Sequence, residues 1–419
     1  MPYSPAIRAG DWLFVSGQLA SDFKTGLAPE IRNANANLEG DLYLQSRFVL
    51  RNLVNTMREA GCDPARDMVR ISEWFQSDRP TLDDMARGDL WPEMDIRAYL
   101  DARTELIGRP TAATSALGIK DLLCAGTRVE VDMICRTDES EPQPIALEPA
   151  GGGKRDPEHL RGLRRGDWIF LAAHDAADVD GGVLTTTNDW STSPVEAQVE
   201  RVLAGLGALA KSAGSSLSRA IKAEVYIGHP QDFAAMDREW RRWFGDAPPA
   251  RVVVPWVGMG RRGARVQVAL TLLAEDSVLP VQVIETDDAP PGLGCEPQAI
   301  RAGDLLFLST QMAFDRNGCL ADGMARKPEF PWYGSPSKWQ MHYMMDNVQK
   351  ICEAGGTSLD NIARRVCFHS NFHGFAESIE AWASYFPGSK PASTTLRLGD
   401  PLVVPGANTL LDLIAYVPE

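Results

Sequence analysis

Apolar and polar positions repeat along this chain in three matching blocks. Each block opens with a Gly-Asp turn running into a short apolar strand: IRAGDWLFVSGQ (7–18), LRRGDWIFLAAH (163–174) and IRAGDLLFLSTQ (300–311). A helical pattern follows in each, with apolar residues near i, i+3, i+4 and i+7: LYLQSRFVLRNLVNTMREAG, PVEAQVERVLAGLGALAKSAG and KWQMHYMMDNVQKICEAGG. A Gln (Gln45, Gln198, Gln340) stands sixteen residues before a closing glycine (Gly61, Gly214, Gly356). Glycine is the expected helix stop because it takes a left-handed conformation freely. Next comes a β-like run, MVRISEWF, AIKAEVYI or IARRVCFH, and then a second amphipathic helix, as in FAAMDREWRRWFG and FAESIEAWASYFPG. A proline (Pro110, Pro249, Pro391) opens a further strand, and the blocks end on TRVEVDMIC, ARVQVALTLL and TLLDLIAYV.

Matching order and matching spacing identify a tandem repeat. The interval from closing glycine to proline is 35 residues in blocks two and three but 49 in block one. Block one therefore carries an insertion near 79–105. The pattern predicts three α/β units, residues 1–145, 146–285 and 286–419, joined by linkers rich in Pro, Gly and acid. The GGGK of the first linker lacks the spacing and the final Ser/Thr of a phosphate loop, and it reads as linker.

Composition narrows the functional classes. Apolar residues are 44% and charged residues 23%, ordinary for a globular protein. With 42 Lys and Arg against 56 Asp and Glu, the net charge is -14, and there is no basic footprint for nucleic acid. An anion site would need a local cluster of cations. No apolar stretch has the length of a membrane span, and MPYSPAIRAG has no signal-peptide core. The seven cysteines are odd in number and never form C-x-x-C, which fits a reducing cytoplasm and argues against a disulfide framework or structural zinc. His369 and His373 stand four apart without the Glu of H-E-x-x-H, so they read as strand-end or loop histidines, and no metal or cofactor is expected.

The chain resembles the RidA/YjgF family of enamine/imine deaminases. The resemblance rests on the opening Gly10 to Gln18, the Q…N…E-A-G helix, Pro249-Ala250-Arg251 and the V-E-V strand around Glu130. It implies a chorismate-mutase-like unit, a mixed sheet with two helices on one face. Three such units would form an intramolecular pseudo-trimer around a central barrel, leaving the chain monomeric or a further dimer.

The resemblance also implies site residues, and the blocks differ at them. An Arg two residues after the proline would grip a substrate carboxylate with a fork of donors. Block two keeps it as Arg251, where block one has Ala112 and block three Ser393. The carboxylate that handles substrate nitrogen and water is Glu130 in block one, Gln267 in block two and Leu410 in block three. The N-terminal aromatic is Tyr3, with His159 and Glu296 in its place elsewhere. The strand-end pair is Ser16-Gly17, Ala172-Ala173 and Ser309-Thr310. The simplest expectation is a composite site in which Arg251 works with Glu130, Tyr3 and Gly17 across the junction of units one and two. The alternative is a site wholly in unit two, from Arg251, Gln267, His159 and His174, where the histidines would tune proton transfer.

The expected activity is hydrolytic deamination of an enamine or imine acid, which needs only a carboxylate and a cation. A 2-aminomuconate-type dicarboxylate is the leading substrate expectation, with Lys390 and Arg109 as a second grip. A chorismatase-like hydrolase and a catalytically silent ligand- or partner-binding scaffold are the competing readings.

Overall fold

The computed structural model describes the chain apart from residues 1–2, 35–40, 78–81, 87–94, 109–111, 146–159, 178–182, 184–192, 256–257, 259–260, 262, 327–333, 400 and 419. Each unit has the same plan. In unit one a five-stranded mixed sheet runs in the order Ala6–Ala9, Trp12–Leu19, Val129–Arg136, Met68–Gln76, Ala113–Ile119, and only the last pair is parallel. Unit two repeats this with Gly162–Arg165, Trp168–Asp175, Val266–Leu273, Ala220–Ile227 and Ala250–Pro255. Unit three repeats it with Ala299–Ala302, Leu305–Leu308, Thr409–Tyr416, Ile362–His369 and Ala392–Arg397. Pro142–Ile145 adds to the edge of unit two's sheet and Val281–Ile284 to that of unit three, so these two sheets start within the segment leading into their units.

The long helices are Asp41–Glu59, Pro194–Ser212 and Pro336–Ala354, followed by Gly61, Gly214 and Gly356 at φ of +76°, +75° and +80°. The repeated Gln has a structural job. Each is fully buried, donates to the carbonyl of a turn glycine and accepts the backbone N–H two residues on: Gly126 and Arg128, Gly263 and Arg265, Gly406 and Asn408. It pins the helix to the turn that feeds the last strand. Within the insertion range of unit one, Arg97–Leu106 is the counterpart of the second helices Phe233–Phe244 and Phe375–Ser384, so the extra residues precede it.

Three apolar clusters lie between helices and sheet, essentially one per unit, and two more are shared by all three units. Among the described strands the sheets do not join into one closed hydrogen-bonded barrel. Instead their inner faces pack around a common axis. The three middle strands place one aromatic each there, Trp74, Tyr226 and Phe368, with Trp74 edge-on to the other two at centroid distances of 6.1 and 5.6 Å. Four residues earlier, on the same face, each strand places a buried cation: Arg70, Lys222 and Arg364. These close a cycle of ion pairs through the units. Arg70 pairs with Glu224 of unit two, Lys222 with Asp412 of unit three at 2.6 Å, and Arg364 with Asp132 of unit one at 2.9 Å. Arg364 also reaches Asp412 at 3.3 Å, and Trp74 Nε1 donates to Asp132 at 2.9 Å. Unit two has Ala269 where its neighbours have Asp132 and Asp412, and supplies Glu224 from the adjacent strand instead.

Among the described residues no helix is long and apolar enough to cross a membrane. Asp412 answers two buried cations, so Asp412→Asn should lower unfolding stability by about 3–5 kcal/mol, the cost of stranding a buried charge. Denaturant titration measures this, and a loss below about 1 kcal/mol would mean the axis is not dry.

Candidate active site

The units meet at three junctions, each formed by the second strand of one unit and the parallel edge strand of another. Unit one's Trp12–Leu19 lies against unit three's Ala392–Arg397: Ser393 N donates to Ser16 Oγ at 2.8 Å and Ser4 N to the Pro391 carbonyl at 3.3 Å. Unit three's second strand lies against unit two's Ala250–Pro255: Arg251 N donates to Ser309 Oγ at 3.0 Å and Thr310 N to the Arg251 carbonyl at 2.8 Å. Unit two's second strand packs beside unit one's Ala113–Ile119, where Ala113 bridges Leu160. Strand register also fixes equivalence. Arg251 pairs with Ala223, Ser393 with Arg365 and Thr114 with Ile71, so unit one's counterpart of Arg251 is Thr114, not Ala112. The TAAT run after Pro110 shifts the true position by two residues.

Arg251 and Glu130 therefore lie at different junctions, and the expected composite site does not form. In the alternative within unit two, Arg251 meets unit three's Ser309 and Thr310, whereas His174 lies on the strand that packs beside unit one's Ala113–Ile119 and pairs with the strand of Gln267. Arg251 is saturated. Its Nε donates to Glu296 at 2.8 Å, its Nη2 to Asp237 at 2.6 Å, and its guanidinium lies 5.2 Å from the Trp240 ring centroid. Burial alone would lower its pKa, but Glu296 and Asp237 hold it above the ordinary value. Glu296 occupies the register place of Tyr3, so a neighbouring unit's own carboxylate fills this junction.

At the junction of units one and two, buried Gln267 stands at the place that Glu130 holds in unit one. His174 Nδ1 lies 2.6 Å from the Ala172 carbonyl, and burial lowers its pKa. Arg103 lines a small cavity beside Thr114, and its Nη1 is 2.7 Å from buried Glu73. His159 and Arg109 fall outside the described residues.

The junction of units one and three differs. Glu130, only 3% exposed, has one carboxylate oxygen without a hydrogen-bond partner. Burial, and then the charge of Asp132, push its pKa well above the usual carboxylate range, against a hydrogen bond from the Thr395 backbone. It approaches Gly17 so closely that a Cβ there would run into Glu130 Oε1, and would also come within 3.0 Å of Thr394 Oγ1. The strand is bulged at Ser16 and Gly17, where the register against Val129–Arg136 shifts, a distortion that re-aims side chains at sites. Ser16 Oγ donates to the Ser4 carbonyl at 2.5 Å. Tyr3 is half-buried, and burial and Glu130 push its phenol up to about 12. Phe23, at φ +56° and 42% exposed, meets the Tyr3 ring edge-on at 6.2 Å. Lys390 stands half-buried just before Pro391.

The sequence reading missed the cation of this junction. Ser393 is backed by Arg365 on the neighbouring strand, which donates to Ser393 Oγ at 2.9 Å and Thr395 Oγ1 at 3.0 Å. The signal was present in IARRVCFH: two adjacent arginines on a strand must face opposite sides. Arg364 points to the axis and Arg365 to the helix layer. His369 turns into the core, 3.1 Å from Cys367 Sγ, whereas His373 is exposed.

A mixed α/β unit repeated three times, with buried polar side chains where the units meet, defines the class. The family model described as Endoribonuclease L-PSP matches residues 1–85 and 159–273. A RutC family protein of Pyrococcus horikoshii is 30% identical over 118 residues, 28% of this chain and 84% of that protein. The chloroplastic Reactive Intermediate Deaminase A of Arabidopsis thaliana is 26% identical over 143 residues, 34% of this chain and 70% of that protein. The crystal structure of RidA from an Antarctic Psychrobacter is 25% identical, with a TM-score of 0.27, covering 32% of this chain and 99% of that one. The chain belongs to the RutC/RidA (YjgF) family.

Glu130 gives a pH signature. Between its ordinary value of 4.5 and its raised folded value, the folded state binds a proton that the unfolded state has lost, so stability falls as pH rises through that window. Glu130→Gln removes this penalty. Its Tm should match the wild type near pH 4 and exceed it increasingly above about pH 4.5 by scanning calorimetry; a constant difference would contradict the raised pKa.

Proposed function

We propose that this protein deaminates enamine or imine acids hydrolytically, and that the junction of units one and three is its active cleft. The observation that carries the reading is Glu130: a buried carboxyl with one oxygen lacking a hydrogen-bond partner, close against Gly17 where units one and three meet, its pKa raised by burial and by Asp132. A raised pKa lets one group act first as acid and then as base near neutral pH. Protonated Glu130 delivers its proton to the enamine carbon, giving the iminium. The Glu130 carboxylate then takes a proton from water as it adds to the iminium carbon. The carbinolamine nitrogen accepts that proton and leaves as ammonia, the carbinol O–H returns its proton to the Glu130 carboxylate as the C=O bond forms, and the product is a 2-oxo acid. Tyr3, held as the neutral phenol, is a donor beside Glu130.

The name of the Arabidopsis relative supports this chemistry, and the net charge of -14 opposes a polyanionic ligand such as RNA. A 2-aminomuconate-type dicarboxylate is the finer form of the proposal, with Lys390 as a second cation at the same junction. The test is ammonia release from 2-aminoacrylate generated in situ and from a 2-aminomuconate. Glu130→Gln should cut kcat/KM by about 10²-fold or more, while Arg251→Lys, at the filled junction, should stay within about two-fold. Release unaffected by Glu130→Gln, or abolished by Arg251→Lys in a folded protein, would move the site elsewhere. No release above the uncatalysed rate from either substrate would end the deaminase reading.

A further inference from the structure

Among the described residues each unit buries one guanidinium in its helix layer, and the three come from different elements. Unit one's is Arg103, on its second helix, nine residues before Ala112; Trp240 and Trp382 stand nine before Pro249 and Pro391. Unit two's is Arg251, on the edge strand, over Trp240. Unit three's is Arg365, one strand further in, 4.6 Å from the Trp382 ring centroid. The guanidiniums of units two and three thus sit over the equivalent tryptophan of each unit, reached from neighbouring strands at paired register positions.

Their charges are met differently. Arg103 has Glu73 at 2.7 Å, and Arg251 has Glu296 and Asp237. Arg365 is 2% exposed, and among the described residues only hydroxyls and the Trp382 face answer it; no carboxylate pairs with it. Burial accordingly pulls its pKa below the ordinary value, where carboxylates hold that of Arg251 above it. A buried cation without an anion is costly to keep, and an anionic ligand is the natural relief. The filled junction shows what fits: a guanidinium over the helix tryptophan takes a carboxylate, supplied by Glu296 at the place that Tyr3 holds at the open one.

We infer that Arg365 is the carboxylate-binding residue of the junction between units one and three, taking the acid group of the ligand as Arg251 takes Glu296. Ser393 and Thr395 fix the guanidinium, and Thr395 ties it to the catalytic side, because its backbone also bonds Glu130. A small 2-substituted carboxylate would hold its acid group at Arg365 and turn its second carbon toward Glu130. The assignment rests on the deaminase reading only for the identity of that second carbon.

The test is binding rather than turnover, with pyruvate, a 2-oxo acid of the product class, and its uncharged methyl ester as probes. Ligand-observed NMR or calorimetry on the full chain should find pyruvate at least about ten-fold tighter than the ester in the wild type. Arg365→Gln should remove that preference, and Arg365→Lys should restore only part of it, since a point charge lacks the fork. Arg365→Gln should also leave Tm unchanged or higher, because it deletes an unpaired buried charge rather than a structural ion pair. Equal affinity for acid and ester in the wild type, or an intact preference in folded Arg365→Gln, overturns the assignment. The two readings fail separately. Loss of turnover in Glu130→Gln with an intact acid preference in Arg365→Gln sinks this inference alone, whereas an acid preference lost with Arg365 and no ammonia release sinks only the deaminase.

Discussion

The cycle of buried charges on the axis is the constraint on which the rest of the molecule depends. Arg70, Lys222 and Arg364 come from equivalent positions of the three units, and each meets a carboxylate of the next unit in turn. Three cations against Glu224, Asp412 and Asp132 leave the axis neutral, which lets it be buried at all. The three pairs of the cycle each cross a junction, while Arg364 also reaches Asp412 within unit three, and the crossing pairs set each junction in a single register. That register decides which strand faces which, and so places Glu130 opposite unit three rather than unit two.

Fusing three units in one chain relaxes the identity that a symmetric trimer imposes, and the molecule uses that freedom in its core and its clefts alike. On the axis, unit two has lost the last-strand Asp and supplies Glu224 from the adjacent strand. In the helix layer, unit three has Ser393 where unit two has Arg251, and Arg365 comes from the adjacent strand. Paired positions of neighbouring strands point the same way, so a charge can move one strand over and still reach the same space. The junctions have diverged correspondingly. One is filled by Glu296, one carries Gln267 in place of a carboxylate, and one keeps Glu130 beside Gly17 with a guanidinium behind it.

The sequence by itself determined the repeat, the order of elements within each unit, the helix stops at Gly61, Gly214 and Gly356, and the separation of sheet and helix faces. These follow from local rules, because hydrophobic period and left-handed glycine positions are written residue by residue. The buried Gln was legible as a fixed spacing, and its bonds to the turn explain why it recurs. Glu130, Tyr3 and Gly17 were legible as a group because they belong to one unit. The tertiary structure alone decided what faced them. Pairing between units depends on register and on the charge cycle, and neither leaves a periodic mark along the chain. Arg251 looked like the cation because it follows Pro-Ala, yet its partners Glu296 and Asp237 are distant in sequence and saturate it. Arg365 looked like an ordinary strand residue, because only packing shows that its guanidinium reaches the space over Trp382.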